Sequence, residues 1–232
     1  KNPMSILKMN EKRVKPVVLA VTGLFLCLTA LFFAPVDIPH KLCLPMGVLV
    51  LSSLWLTPWE IFMALFFSIL GDYFGSCGIF LAQMGSFAVG HIFYIRFFLR
   101  RFHRKVEPDR KMTAKAKGYF MMLSICVLAL LALVFVRVVP CAPAGVLRVG
   151  VSIYAVLICT MFLAALMQRS LLYALGALLF VISDFILAWN KFVEPVPYRD
   201  ILVLGTYLSA QWLLFVRATP YRVKHPVHLL RF

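Results

Sequence analysis

The stretch LLYALGALLFVISDFILAW, residues 171–189, is nineteen residues long and carries one charged side chain, Asp184. As a helix rising 1.5 Å per residue it is about 28 Å long, close to the hydrocarbon thickness of a bilayer. Its apolar run is continuous rather than alternating, which excludes a strand of a transmembrane β-barrel. Seven further apolar stretches flank it, at 17–34, 42–56, 59–75, 78–98, 119–139, 146–167 and 201–216. Those at 42–56 and 59–75 are short for a span and meet at a Thr57-Pro58 corner, read as a tight helix–helix turn. The 232 residues are 62% hydrophobic and 14% charged, with mean hydropathy +0.92. Soluble domains are about 45–50% apolar and about 25% charged. So little polar surface excludes a soluble globule, a disordered chain and a disulfide miniprotein. The fold expected is an all-α polytopic membrane protein, a bundle of about eight transmembrane helices.

The excess of 24 Lys+Arg over 9 Asp+Glu makes the chain strongly basic. In a membrane protein this indicates cytoplasmic loops rather than nucleic acid. With the N-terminus inside, eighteen cations fall on inside segments and five (Lys41, Arg137, Arg148, Lys191, Arg199) on outside ones. Both termini are therefore expected in the cytoplasm. The chain divides into a basic N-terminal segment (1–16), a transmembrane domain (17–217) and a basic C-terminal tail (218–232). The first apolar stretch lacks an A-x-A cleavage site and is read as a helix, not a signal peptide. Residues 99–118 form the one long polar loop, read as solvated and touching anionic headgroups. Six cysteines include no C-x-x-C pair and lie mostly in apolar runs, so no zinc site and no required disulfide is read.

Ionisable residues inside spans are costly and usually face a polar cavity. Asp72, Asp184 and His91 are the ionisable groups at that depth, with Gln83, Tyr207 and Gln211 as polar companions. Asp72 and Asp184 each lie thirteen residues into an outward-running helix, about 20 Å from the inner edge. Tyr207 reaches the same level, and Gln83 is slightly shallower. Four polar side chains from four helices thus share one slab of the outer half. His91 lies deeper, either at the floor of the same cavity or bonding across helices as structural glue. Glu60 opens a helix at the inner side, where a carboxylate suits the N-terminal dipole and reads as a cap. Two carboxyls close together in a low dielectric do not both ionise, so one is available as acid and the other as base. The alternative is that each Asp only bonds a neighbouring helix.

Three segments carry a family resemblance. They are Gly71-Asp72 with Gln83-Met84-Gly85-Ser86-Phe87 and His91-Ile92-Phe93-Tyr94; Gly176 through Asp184, continuing to Ala188-Trp189-Asn190-Lys191-Phe192; and Thr206-Tyr207-Leu208-Ser209-Ala210-Gln211. Over about residues 41–217 the chain resembles the YhhN family of integral membrane proteins, which includes the lysoplasmalogenases. The resemblance implies eight helices and hydrolysis of the vinyl ether bond of a lysoplasmalogen. The products would be a fatty aldehyde and glycerophosphoethanolamine or glycerophosphocholine. It also implies functional roles for Asp72, His91, Tyr94, Ser183, Asp184, Asn190, Lys191, Tyr207 and Gln211. The family's lysine near a proline at the start of its second helix corresponds loosely to Lys41, four residues before Pro45.

That chemistry suits the residues. Vinyl ether hydrolysis begins with proton transfer to carbon and passes through an oxocarbenium-like cation, as paired carboxylates manage in glycoside hydrolysis. No metal or other cofactor is needed. Lys41, Lys191 or Arg199 at the outer mouth would contact the substrate phosphate, or serve as solvated rim charges. The expected partners are a lysophospholipid and the bilayer, with no nucleic acid; in a bacterium the location would be the inner membrane. The rival reading is a lipid, cation or proton carrier using the same carboxylates. An intramembrane aspartyl protease fits less well, because Ile69 stands where its GxGD motif needs glycine.

Overall fold

A computed structural model describes residues 11–35, 38–105 and 114–224. The ends of both basic terminal segments (1–10 and 225–232) and the middle of the basic loop (106–113) lie outside the described residues. Within them the chain forms eight α-helices and no strand: α1 Glu11–Phe33, α2 Cys43–Leu56, α3 Trp59–Ser76, α4 Phe80–Lys105, α5 Ala114–Arg137, α6 Val146–Leu166, α7 Leu171–Phe192 and α8 Arg199–Lys224. A short 3₁₀ turn, Val139–Cys141, links α5 to α6. Among the described residues, α1, α5, α6, α7 and α8 contain stretches long and apolar enough to cross a membrane. The protein is an integral membrane helical bundle.

Short connections with specific chemistry reverse the chain. Pro58 forbids a helical conformation in the residue before it. Thr57 accordingly stops α2 in an extended conformation, its N–H bonded back to Ser53 O at 3.1 Å. Gly78 takes φ +75°, a left-handed turn that lets α4 start after only three intervening residues.

Burial is inverted relative to a water-soluble protein. Leu19 (73%), Val136 (69%) and Leu171 (73%) face outward, whereas Ser68, Asp72, His91 and Gln211 are buried inside. This distribution is what a hydrocarbon solvent selects. The tightest pairs are α3 with α4 and α7 with α8; α6 packs on α4, and α8 closes the ring against α1 and α2. Small residues permit these approaches. A Cβ on Gly90 would meet Ala64 O of α3 at 3.1 Å, and one on Gly176 would meet Leu214 Cγ of α8 at 3.0 Å. Helix α5 packs chiefly on α6 and the 3₁₀ turn, at the edge of the bundle.

Two expectations need correction on the side away from the site. Helix α4 continues past residue 98 to Lys105, so Arg100 and Arg101 belong to it rather than to a solvated loop. Glu60 is fully buried, makes no capping bond, and meets Arg100 Nη1 at 2.5 Å through Oε1. Arg101 is also buried, with its guanidinium 4.9 Å from the Tyr173 ring. Helical periodicity explains this: Arg100 and Arg101 point back toward the bundle, and a charge there needs a carboxylate or an aromatic face. Helix α8 extends to Lys224.

Candidate active site

Five helices and the approach to α2 converge on a cavity of about 300 Å³ at the end of the bundle opposite the Glu60–Arg100 pair. Asp72 of α3 and Asp184 of α7 both line it. Gln83 of α4 and Tyr207 of α8 line it as well, so the four side chains placed at one depth by helix arithmetic face one chamber. His40, Lys41, Arg199 and Asp200 stand at its mouth. Just before α2, His40 bonds Ser76 Oγ at 2.5 Å, and its ring packs 5.0 Å from Tyr73.

Each carboxylate is held by a tyrosine from another helix. Tyr207 donates its hydroxyl to Asp72 Oδ2 at 2.8 Å. Tyr154 of α6 donates to Asp184 Oδ2 at 2.5 Å. His91 Nε2 lies 3.0 Å from the Tyr154 oxygen and 3.6 Å from Asp184 Oδ2. Asp72 is 3% exposed, whereas the Asp184 side chain is 11% exposed. Phe87 floors the chamber, its ring edge-on to Phe180 and Tyr207. It lies against Gly71, where a Cβ would meet three ring carbons at 3.1 Å. The glycine before Asp72 thus makes room for the floor.

The remaining expected site residues divide. Ser183 lines the chamber, but its hydroxyl is bonded to Val203 O of α8 at 2.9 Å. Tyr94 and Gln211 form a buried pair away from the chamber lining, the tyrosine donating to Oε1 at 2.6 Å. His91 does not line the chamber and reaches Asp184 mainly through Tyr154. Asn190 and Lys191 line an adjoining recess of about 130 Å³ with Arg199 and Gln83. Asn190 Oδ1 accepts from Val196 N–H at 3.0 Å, and Lys191 Nζ sits 5.5 Å from the Phe80 ring centre. Lys41 Nζ sits 5.2 Å from the Phe32 ring centre. The reading from sequence missed Tyr154. It sits eight residues into α6, about 12 Å, as Tyr207 sits eight residues into α8.

The chamber also joins a narrow apolar slot. Gln83, Phe87, Asp184 and Leu187 line both. The slot continues between α5, α6 and α7 past Val134, Val151, Ala155, Ile158 and Val181. Leu130, Val134, Phe185 and Ala188 on its walls are half-buried, so it reaches the lipid-facing surface between α5 and α7. A polar mouth, two carboxyls and an apolar side exit therefore lie along one path.

The model of the YhhN family matches residues 24–218. The chain belongs to the YhhN family. Among curated relatives, human lysoplasmalogenase TMEM86A is 32% identical over 176 residues, which cover 70% of this chain and 66% of that protein. Pig lysoplasmalogenase TMEM86B is 54% identical over 39 residues, 17% of each chain. Bovine lysoplasmalogenase TMEM86A is 47% identical over 47 residues, 20% of each. The match thus spans just under two thirds of the human relative's length and a fifth or less of the other two. No solved structure matches the chain. The YhhN match includes α2 through most of α8, and with them every side chain lining the chamber.

Proposed function

We propose that this YhhN protein is an intramembrane lysoplasmalogen hydrolase. It would cleave the vinyl ether bond of a single-chain ether phospholipid to a fatty aldehyde and a glycerophospho-ethanolamine or -choline. One observation carries the reading: two carboxyl side chains from α3 and α7 line a chamber that joins a polar mouth, with Lys41 and the Arg199–Asp200 pair, to an apolar slot. A lysophospholipid has that same sequence of parts, with a charged head, a short polar linker and one hydrocarbon chain. The head lies toward Lys41, Lys191 and Arg199. The chain enters the slot at Leu187 and Phe87. The vinyl ether then falls beside Asp184 and Gln83, where slot and chamber meet.

One carboxyl of the dyad delivers its proton to the second carbon of the alkenyl chain, and the double-bond electrons leave an oxocarbenium ion. The other, ionised carboxyl stabilises that cation and takes a proton from the attacking water, giving a hemiacetal. On collapse that proton passes to the departing glycerol oxygen, while the hemiacetal hydroxyl proton restores the first carboxyl. Water is consumed and both carboxyls return to their starting states. Gln83, which lines chamber, recess and slot, would hold the water or the ether oxygen.

The test is aldehyde release by the purified protein in detergent with lysoplasmalogen as substrate. Asp72→Asn and Asp184→Asn are each expected to lower kcat by at least about 10³-fold, with unchanged thermal unfolding. Full turnover in either variant sinks the dyad. Wild type that releases no aldehyde, but moves protons or cations into liposomes, establishes the carrier reading instead.

A further inference from the structure

We propose that the recess between the end of α7 and the start of α8 is a phosphate site, holding the phosphodiester of the single-chain lipid between Lys191 and Arg199. This deepens the hydrolase reading and rests on it for turnover, though not for binding. Lys191 offers only N–H donors. Asn190 commits Oδ1 to Val196 N–H at 3.0 Å, which leaves its amide nitrogen to donate. Arg199 gives Nη1 to Asp200 Oδ1 at 2.6 Å, and its Nε is buried with no hydrogen-bond partner. The Nε–Nη2 edge of a guanidinium carries two parallel donors that match two oxygens of a phosphate. Among the described residues lining the recess none is a carboxylate, and Asp200 lines the chamber instead. Gln83, also on its wall, presents either end of its amide. A donor-rich cleft with two positive charges selects an anion, and a buried guanidinium N–H is costly to leave unpaired.

The connection 193–198 holds the two cations on one cleft. Val196 is tied on both sides, its N–H to Asn190 Oδ1 and its carbonyl accepting from Arg199 N–H at 3.3 Å. Tyr198 takes φ +55°, a conformation that a bulky residue rarely adopts and keeps only where its surroundings impose it. Lys191 and Arg199 are thereby kept together against their mutual repulsion, which a bound anion relieves. The place of the recess along the path identifies the anion. Gln83 lines recess, chamber and slot, so one side chain's length separates the recess from the point beside Asp184 where slot and chamber meet. In a lysoplasmalogen the glycerol backbone makes that same step, from vinyl ether oxygen to phosphate. Lys41 lines the chamber but not the recess, so it stands outside the phosphate site.

The experiment measures binding to the full chain in detergent, using a saturated single-chain ether lysophospholipid that has no vinyl group to cleave. The matching alkylglycerol, which lacks the phosphate, is measured beside it. Lys191→Met and Arg199→Gln are each expected to raise the phospholipid Kd about tenfold or more, and to leave the alkylglycerol Kd within about twofold of wild type. Lys191→Arg, which keeps the charge, should bind the phospholipid within about threefold of wild type. In turnover, the same two charge-removing variants should raise KM for lysoplasmalogen and leave kcat within a fewfold. Glycerophosphoethanolamine is expected to displace the phospholipid at lower concentration than inorganic phosphate does. The proposal is overturned if the variants weaken both ligands equally, if they leave the phospholipid Kd unchanged, or if inorganic phosphate is the tighter competitor. The saturated ligand needs no turnover, so absence of aldehyde release sinks the hydrolase reading while binding still decides what the recess holds.

Discussion

Glu60 and Arg100 meet at 2.5 Å, with Glu60 fully enclosed and Arg100 a quarter exposed. Removing one partner of such a pair strands the other charge, whereas removing both substitutes packing for the ion pair. Arg100→Met is therefore expected to cost about 3–5 kcal/mol, and the double variant Glu60→Leu with Arg100→Met to recover most of it. Thermal unfolding in detergent measures this; equal losses in single and double variants would count against a buried pair. The pair also shows what a residue-by-residue reading can and cannot find. Asp72 and Asp184 were legible because a carboxylate is anomalous at mid-span whatever surrounds it. Glu60 and Arg100 sit near helix ends, where charges are ordinary, so position alone did not reveal that they face each other. Tyr154 escaped for a related reason. A tyrosine is inexpensive in an apolar helix and stands out only once a carboxylate is found opposite its hydroxyl.

Among the elements, the glycine contacts dictate which helices close on which. Gly176 has Leu214 Cγ at 3.0 Å and Ala210 O at 3.3 Å from the position of an added Cβ, and the backbone atom cannot swing aside. Gly176→Val is expected to cost about 1–3 kcal/mol by prying α7 from α8. Aldehyde release should fall with it, because Asp184 and Tyr207 lie on those two helices. Gly85→Ala is the control, since an added Cβ there meets nothing within 4 Å. Its unfolding midpoint and turnover should match wild type, and a Gly176→Val protein as stable as that control would refute close packing. Helix number and order were readable because eight apolar runs separated by prolines, glycines and charges leave little choice. The ends of α4 and α8 were not. Their basic final turns resemble loops by hydropathy, yet Arg101 and Arg217 both find the face of Tyr173 and remain helical.

At the level of the whole molecule, a chamber could be anticipated from four polar groups at one depth, but the slot could not. It arises because α5 leans on α6 and leaves α7 partly uncovered, an arrangement that no periodicity encodes. Ala155 is buried in its wall. Ala155→Phe is expected to lower kcat/KM for long-chain lysoplasmalogens at least about tenfold more than for short-chain ones, since filling a hydrocarbon site discriminates by the methylenes it displaces. Rates measured across a chain-length series decide this, and an equal loss at every length would rule out the slot as the hydrocarbon site.

The side opening of that slot has a chemical consequence. Cleavage at Asp184 would sort its two fragments into different solvents, the glycerol phosphate to water through the mouth and the aldehyde sideways into oil. Once separated by phase they do not recombine, so the hemiacetal cannot re-form and turnover is driven forward. The reactive carbonyl would also bypass the amines and thiols of the aqueous side, and an enzyme that oxidises or reduces it would have to collect it from within the bilayer.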